Sequence, residues 1–291
     1  MESHPIEIRR KGTTPVLEKR ELLNKDGSTF PVLVFPSLEQ CGEVQHLYTT
    51  RLGGVSEGVF TSLNLSRGKG DPDENVQENI ARVAYAFGTD LQHVVFSRQV
   101  HETNVKRVVK DFAGSGVTRK SIWESADGLV TNERGIVLGT VYADCVPLLF
   151  VDPVHHAVGC SHSGWRGTVA KMGKKTLKVM RQEFGTNPRD VLVGIGPSIC
   201  QDHYEVSEDV ANQFRHVFPE HEKEILRYEG HPGHEQLNLW EACRITLEEA
   251  GVPEENISVT DICTACNPDL LFSHRASQGK HGNFGAFIML R

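Results

Sequence analysis

LLFVDPVHHAVGCSH, residues 148–162, is the stretch from which the architecture can be read. An apolar run over 148–151 ends at Asp152-Pro153, and a second over 157–160 follows almost at once. Proline presets φ and has no N–H to give to a ladder, so Asp-Pro marks a turn. Two such runs predict an antiparallel hairpin with its turn centred between Pro153 and Val154. Residues equidistant from that point face each other across the pair. Cys145 is thereby placed opposite His162, at the open end of the hairpin. Asp144 precedes the cysteine and Gly164-Trp165-Arg166-Gly167 follows the histidine, so a polar cluster is expected where these strands end.

A thiol and an imidazole within reach read either as a nucleophile–base pair or as two metal ligands. A free cysteine is also commonly a small buried hydrophobe, and spacing alone favours that role for Cys145. SHSGWRGT (161–168) runs from a strand end into a helix start. Its glycines permit close backbone approach, and the helix start and Arg166 both favour an anion. A tight turn with Trp165 packed beneath and Arg166 paired to an acid fits the same residues. RLGGVS (51–56) sets Arg51 beside paired glycines in a similar style.

Outward from the hairpin, strands are predicted at 30–38, 44–50, 94–100, 126–131, 135–143, 191–196, 257–264 and 283–290. Helices are predicted at 71–88, 168–185, 206–218 and 237–251. The first carries acids in its first turn, an apolar stripe at Val76, Ile80, Val83 and Phe87, and Gly88 as its stop. Strands outnumber helices and often follow one another directly. That pattern predicts a mixed α/β (α+β) protein with mixed or packed sheets and helices outside, not a βαβ repeat. With no long Pro/Gly/Ser linker and no repeat, residues 16–291 are expected to form one domain, with a loosely held segment at 1–15.

The 291 residues are 38% hydrophobic and 24% charged, enough apolar material for a sizeable core. A net charge of −7 without blocks of like charge argues against nucleic-acid binding. The N-terminus lacks the apolar core of a secretory signal, and no uncharged apolar run approaches the ~18 residues of a membrane helix. A cytoplasmic setting is expected, with the 7 cysteines reduced. Cys41, Cys160, Cys200, Cys243, Cys263 and Cys266 are expected to be structural and mostly unpaired. Cys160 shares a strand face with His162. Cys263-Thr-Ala-Cys266 reads as a structural turn more readily than as a redox pair or zinc ribbon, since no second pair stands at ribbon spacing. GIGPSI (194–199) lacks the third glycine of a dinucleotide fingerprint. The absence of any H-x-H pair counts against a multicopper oxidase.

RQVHETNV (98–105), ADGLVT (126–131), ADCVPLLF (143–150), HSGWRGT (162–168), GIGPSIC (194–200) and the DICT…FSHR pattern (261–275) together resemble the YfiH/YlmD family. These are bacterial relatives of the mammalian laccase-domain protein, long labelled polyphenol oxidases. The resemblance runs from about Tyr48 to the C-terminus. It implies a four-layer α/β/β/α fold and a zinc site of one Cys and two His, falling on Cys145, His162 and His101. It also implies phosphorolysis of adenosine, inosine, guanosine and methylthioadenosine, together with adenosine deamination. Purine nucleosides and phosphate are the expected partners, with no nucleic acid and no membrane.

A His₂Cys set leaves open the fourth position that a catalytic zinc needs, though such a set also suits copper. Asp144 is the candidate proton carrier or partner of a ligand. Arg51 is the candidate for phosphate or ribose, and Arg166 a weaker one. Three alternatives stay open: a copper-dependent polyphenol oxidase, a metal-free Cys–His hydrolase with Cys145 as nucleophile, and a metal-binding protein without turnover.

Overall fold

The computed structural model describes residues 7–291. A six-stranded sheet runs in the order Glu18–Leu23, Thr29–Val34, Val44–Thr49, Phe284–Leu290, Val137–Tyr142, Val94–Phe96. A second six-stranded sheet runs Ile257–Val259, Leu192–Ile195, Val146–Asp152, Ala157–Ser163, Gly128–Thr131, Val105–Arg107. A three-stranded sheet of Glu205–Ser207, His234–Leu237 and Leu226–Arg227 lies apart from both.

Alternation along the strands sorts the side chains into three cores. From Phe284–Leu290, residues Ala286, Ile288 and Leu290 face inward and meet Leu129, Leu149 and Val158 of the second sheet. Phe287 and Met289 point the other way, onto Val76, Ile80 and Val83 of the helix Asp73–Ala86. The outer face of the second sheet, with Leu148, Phe150 and Val193, packs on Leu177 and Met180 of Met172–Phe184 and on Ala242 and Ile245 of Leu239–Glu249. The result is helix, sheet, sheet, helices: a mixed α/β protein in four layers. Strands buried on both faces explain the near-continuous apolar runs in the sequence.

The 148–162 hairpin forms, but in another register. Asp152 pairs with Ala157 and Pro147 with His162, a shift of two residues from the expected pairing of Cys145 with His162. The reason lies in the turn, which spans residues 153–156. Asp152 Oδ1 accepts from the N–H groups of Val154 and His155, both at 3.0 Å. His156 then closes the turn at φ 49°. The aspartate thus builds a four-residue loop where Asp-Pro had suggested a tighter one.

The helix expected over 168–185 is two, Trp165–Val169 and Met172–Phe184, parted at Lys171 in the left-handed region. Residues 206–207 belong to a strand, and the helix there is Glu208–Val217. Residues 1–6 of the segment expected to be loosely held lie outside the described residues. Residues 9–11 are bonded to the segment around residues 261–267. Arg10 pairs with the buried Asp261, Lys11 N donates to Asp261 O at 2.7 Å, and Arg9 N donates to Asn267 Oδ1 at 2.7 Å. No helix among the described residues is long and apolar enough to cross a membrane.

Candidate active site

Three segments converge at the end of the second sheet. Cys145 immediately precedes the strand Val146–Asp152, and His162 is the next-to-last residue of Ala157–Ser163. His101 sits on the loop after Val94–Phe96. Although Cys145 is not opposite His162 in the ladder, Asp144 has φ 87° and turns the chain so that the thiol reaches the histidine. A non-glycine residue held there is strained, and the surroundings must hold it. Asp144 is 7% exposed; its Oδ1 accepts from Thr264 Oγ1 at 2.6 Å and its Oδ2 from Arg275 N at 2.7 Å.

The ligand atoms of His101, Cys145 and His162 all lie within 4.8 Å of one another. The two imidazoles meet edge to face, centroids 4.8 Å apart. Gly164 closes the floor: a Cβ there would stand 3.0 Å from Cys145 Sγ and 3.3 Å from His101 Cδ2. A side chain there would press on Cys145 and His101, which would have to give by a few tenths of an ångström.

Asp127, fully buried, organises two of the three. It accepts from the backbone N–H groups of Val100 at 3.1 Å, His101 at 2.9 Å and Glu102 at 3.1 Å. It also holds His162 Nδ1 at 3.3 Å, while its carbonyl accepts from His162 N at 2.7 Å. This loop grip holds His101 at φ 63°. With the carboxylate on Nδ1–H, Nε2 is the ring nitrogen that faces the cluster and would ligate a metal once its proton is lost. Asp127 lies within ADGLVT, but no local signal marks its side chain as the anchor of a loop 26 residues earlier.

The electrostatics follow from this packing. Burial alone would raise the Cys145 thiol, but the charge of His162 and hydrogen bonds from both imidazoles bring it down to about 6. Burial works against a charged His162, yet the Cys145 thiolate and Asp127 lift it to about 9. The cluster thus favours the thiolate, the form in which cysteine binds metal. Cys160 packs beneath, between the sheets, its thiol pushed up to about 12 by burial. All seven cysteines are free thiols.

A cleft of about 860 Å³ opens over the cluster. Its charged lining consists of Arg67, Lys69, Arg98 and Arg275 against the single carboxylate of Asp144. Because that carboxylate is engaged by Thr264 and Arg275, the cleft is electropositive in a chain of net charge −7. Lys69 Nζ donates to Asn283 Oδ1 at 2.7 Å and keeps two further N–H groups. In the same wall His281 Nδ1 donates to Gly282 O at 2.6 Å, so its Nε2 accepts from His274 Nδ1 at 3.1 Å. His274 is left with Nε2 as its free lone pair. A hollow of about 740 Å³ beside the helix Asp73–Ala86 carries no such convergence, since its Arg82 is tied to Asp26 and Glu78.

Two arginines fall elsewhere than expected. Arg51 lines a small neighbouring hollow, not this cleft. Its guanidinium lies over the Phe272 ring and donates to Thr61 O at 2.9 Å and Pro268 O at 2.8 Å. It is spent on holding two loops together. Arg166 is exposed, stacked over Trp165 at 4.2 Å, outside the cleft lining. The cleft roles of Lys69, Arg98, His274 and Arg275 are not legible in the sequence, although Arg98 opens RQVHETNV and His274 and Arg275 end the FSHR pattern. All four lie on loops where no periodicity distinguishes a cleft cation from a solvated one.

A family model described as "Multi-copper polyphenol oxidoreductase laccase" matches residues 45–291. The "Purine nucleoside phosphorylase YlmD" of Bacillus subtilis is 38% identical over 84% of this chain and 87% of its own length. A "Purine nucleoside phosphorylase" of Bacteroides thetaiotaomicron is 35% identical over 89% of this chain and 96% of its own. The crystal structure of a Bacillus licheniformis hypothetical protein YfiH superposes with a TM-score of 0.85 at 34% identity, covering 89% of this chain and 96% of that one. YlmD of Geobacillus stearothermophilus gives 0.83 at 33% identity, covering 94% and 100%. On matched length, identity and shared fold, the chain belongs to the YfiH/YlmD branch of the polyphenol oxidoreductase laccase family.

Proposed function

We propose that this chain is a zinc-dependent purine nucleoside phosphorylase with accompanying adenosine deaminase activity, acting at the end of the cleft where His101, Cys145 and His162 meet. The observation that carries the proposal is the joining of a three-ligand His₂Cys cluster to an electropositive cleft. The donor set fits zinc: two imidazoles and a thiolate, one histidine oriented by a buried carboxylate. When bound there, the metal would supply Lewis acidity at the end of the cleft. The names of the relatives support nucleoside and phosphate as substrates.

In phosphorolysis a phosphate oxygen bonds to ribose C1′ as the glycosidic bond breaks, and its electron pair leaves on the purine nitrogen. The chain must hold a dianion, orient the ribose and supply a proton to the departing base. Lys69 is the phosphate-binding residue we assign in place of Arg51, with Arg98 and Arg275 adding positive charge along the same wall. His274, polarised through His281, is placed to exchange a proton with substrate. Asp144 acts as a positioning residue: its carboxylate ties Thr264 and Arg275 to the turn that aims Cys145. Inosine, guanosine and methylthioadenosine are expected as further phosphorolysis substrates. The metal-free hydrolase alternative leaves His101 without a role.

The test is turnover of adenosine with and without phosphate on protein of measured metal content. Adenine and ribose 1-phosphate should appear only with phosphate; inosine should accumulate without phosphate and pass on to hypoxanthine with it. Phosphate-independent inosine alone would reduce the activity to deamination. No purine product from zinc-loaded protein would overturn the proposal, and phenol oxidation by the copper form would favour the oxidase reading.

A further inference from the structure

A second group of metal-binding side chains lies outside the proposed active site. Cys200 and His203 form a C-x-x-H on the segment after Leu192–Ile195; Cys263 and Cys266 form a C-x-x-C after Ile257–Val259. The two strands pair in parallel, and beyond them Ser198 bridges to Cys263 while Thr264 N donates to Ser198 O at 3.1 Å. That contact brings together pairs that are 63 residues apart in the chain.

We infer that Cys200, His203, Cys263 and Cys266 bind one structural zinc ion. Their four ligand atoms all lie within 4.8 Å of one another. His203 Nδ1 stands 3.3 Å from Cys200 Sγ and 3.6 Å from Cys266 Sγ. Zn–S bonds of ~2.3 Å and Zn–N bonds of ~2.0–2.1 Å on a tetrahedron set S···N edges of about 3.6 Å. The two spacings lie at or just under that edge, and a closed Cys₃His set has no open position, as in a structural site. Three thiolates and a neutral imidazole around Zn²⁺ carry a net charge of −1. Lys11, paired with Asp202 at 2.6 Å, adds positive charge on that side.

The ion would clamp the wall of the neighbouring cleft. Thr264, next to Cys263, donates to Asp144. The carbonyl of His203 accepts from Arg275 Nη1 at 3.1 Å, and Tyr204 after it lines the cleft. The short 3-10 helix Gln201–His203 and the turn at 263–266 would be held in register by the metal. This inference is independent of the activity proposed above.

The experiment is metal analysis of zinc-reconstituted, desalted protein. The Cys145→Ala variant isolates the second site and should retain about one equivalent of zinc. Combining it with Cys266→Ser, or with His203→Gln at an exposed position, should remove that equivalent. Cobalt loaded into Cys145→Ala should show strong thiolate-to-metal charge transfer with tetrahedral d–d bands, a readout that needs no change in the second cluster. Metal-free Cys145→Ala protein with no such cobalt spectrum would overturn the inference. So would a Cys263–Cys266 disulfide in protein prepared under reducing conditions, or zinc content unaffected by both second-site variants.

Discussion

Asp127→Asn isolates the group that aims the metal ligands. In the native protein the carboxylate accepts three backbone N–H groups and meets His162 Nδ1 while fully buried. The amide keeps one oxygen, which can still serve Val100, His101 and His162. Its NH₂ must then face the N–H of Glu102, donor against donor. One buried unsatisfied donor pair costs about 1–3 kcal/mol, or roughly 2–4 °C in Tm per kcal/mol for a domain near this size. Loss of a carboxylate behind a ligating histidine costs about 10–100-fold in metal affinity. Burial by itself disfavours the charged carboxylate, but His162 and the backbone donors outweigh it and lower the Asp127 pKa. The assay is zinc affinity by chelator competition, with urea unfolding of the same metal-free samples. Zinc affinity within twofold of wild type and unchanged stability would refute the role assigned to Asp127.

Cys145→Ala and His162→Ala should each abolish nucleoside turnover and the first-site zinc while the protein stays folded, since both lie at a sheet end; near-native circular dichroism with lost metal is the expected pair of results. Lys69→Ala should lower phosphorolysis about tenfold to a hundredfold, the worth of a charge-assisted bond of ~1.5–3 kcal/mol, and spare deamination. Arg51→Ala should lower both activities together and Tm as well, because it releases the carbonyls of Thr61 and Pro268; selective loss of phosphorolysis would restore Arg51 as the phosphate residue. His46, 1% exposed and accepting from Phe35 N at 2.9 Å, is held by burial at about 3. The unfolded chain takes up that proton near the ordinary ~6.5, so stability falls as pH drops from there toward about 3, by up to ~1.4 kcal/mol per pH unit. Urea unfolding from pH 7 to 4 should show His46→Gln with a flatter slope than wild type, and equal slopes would exclude His46 as the source.

What local pattern determined is legible in particular elements. The helix Asp73–Ala86 carries acids at its start and an apolar stripe, and that stripe is the one packed on the first sheet. Buried strands such as Phe284–Leu290 announce themselves because both faces are covered. The edge strand Glu18–Leu23 does not: EKRELL is mostly exposed and leaves no apolar run to read. The closeness of Cys145 and His162 was legible because a hairpin is a local structure, even with its register displaced by the Asp152 loop. His101 entered through the motifs of a resemblance, since its distance from Cys145 in the chain carries no contact information.

Tertiary structure alone decided the rest. Asp127 was one acid among 38 until its carboxylate was seen beneath the loop of His101. The C-x-x-C at 263–266 read as a turn because its partners are 63 residues earlier, and only the parallel pairing of two strands sets Cys200 and His203 against it. The cations of the cleft come from loops near residues 67, 98 and 275, brought together by sheet order. Periodicity records whether a side chain is buried, which depends on near neighbours in the chain. Which buried or charged groups meet depends on how distant strands pair and stack, and that follows from the packing of the whole chain.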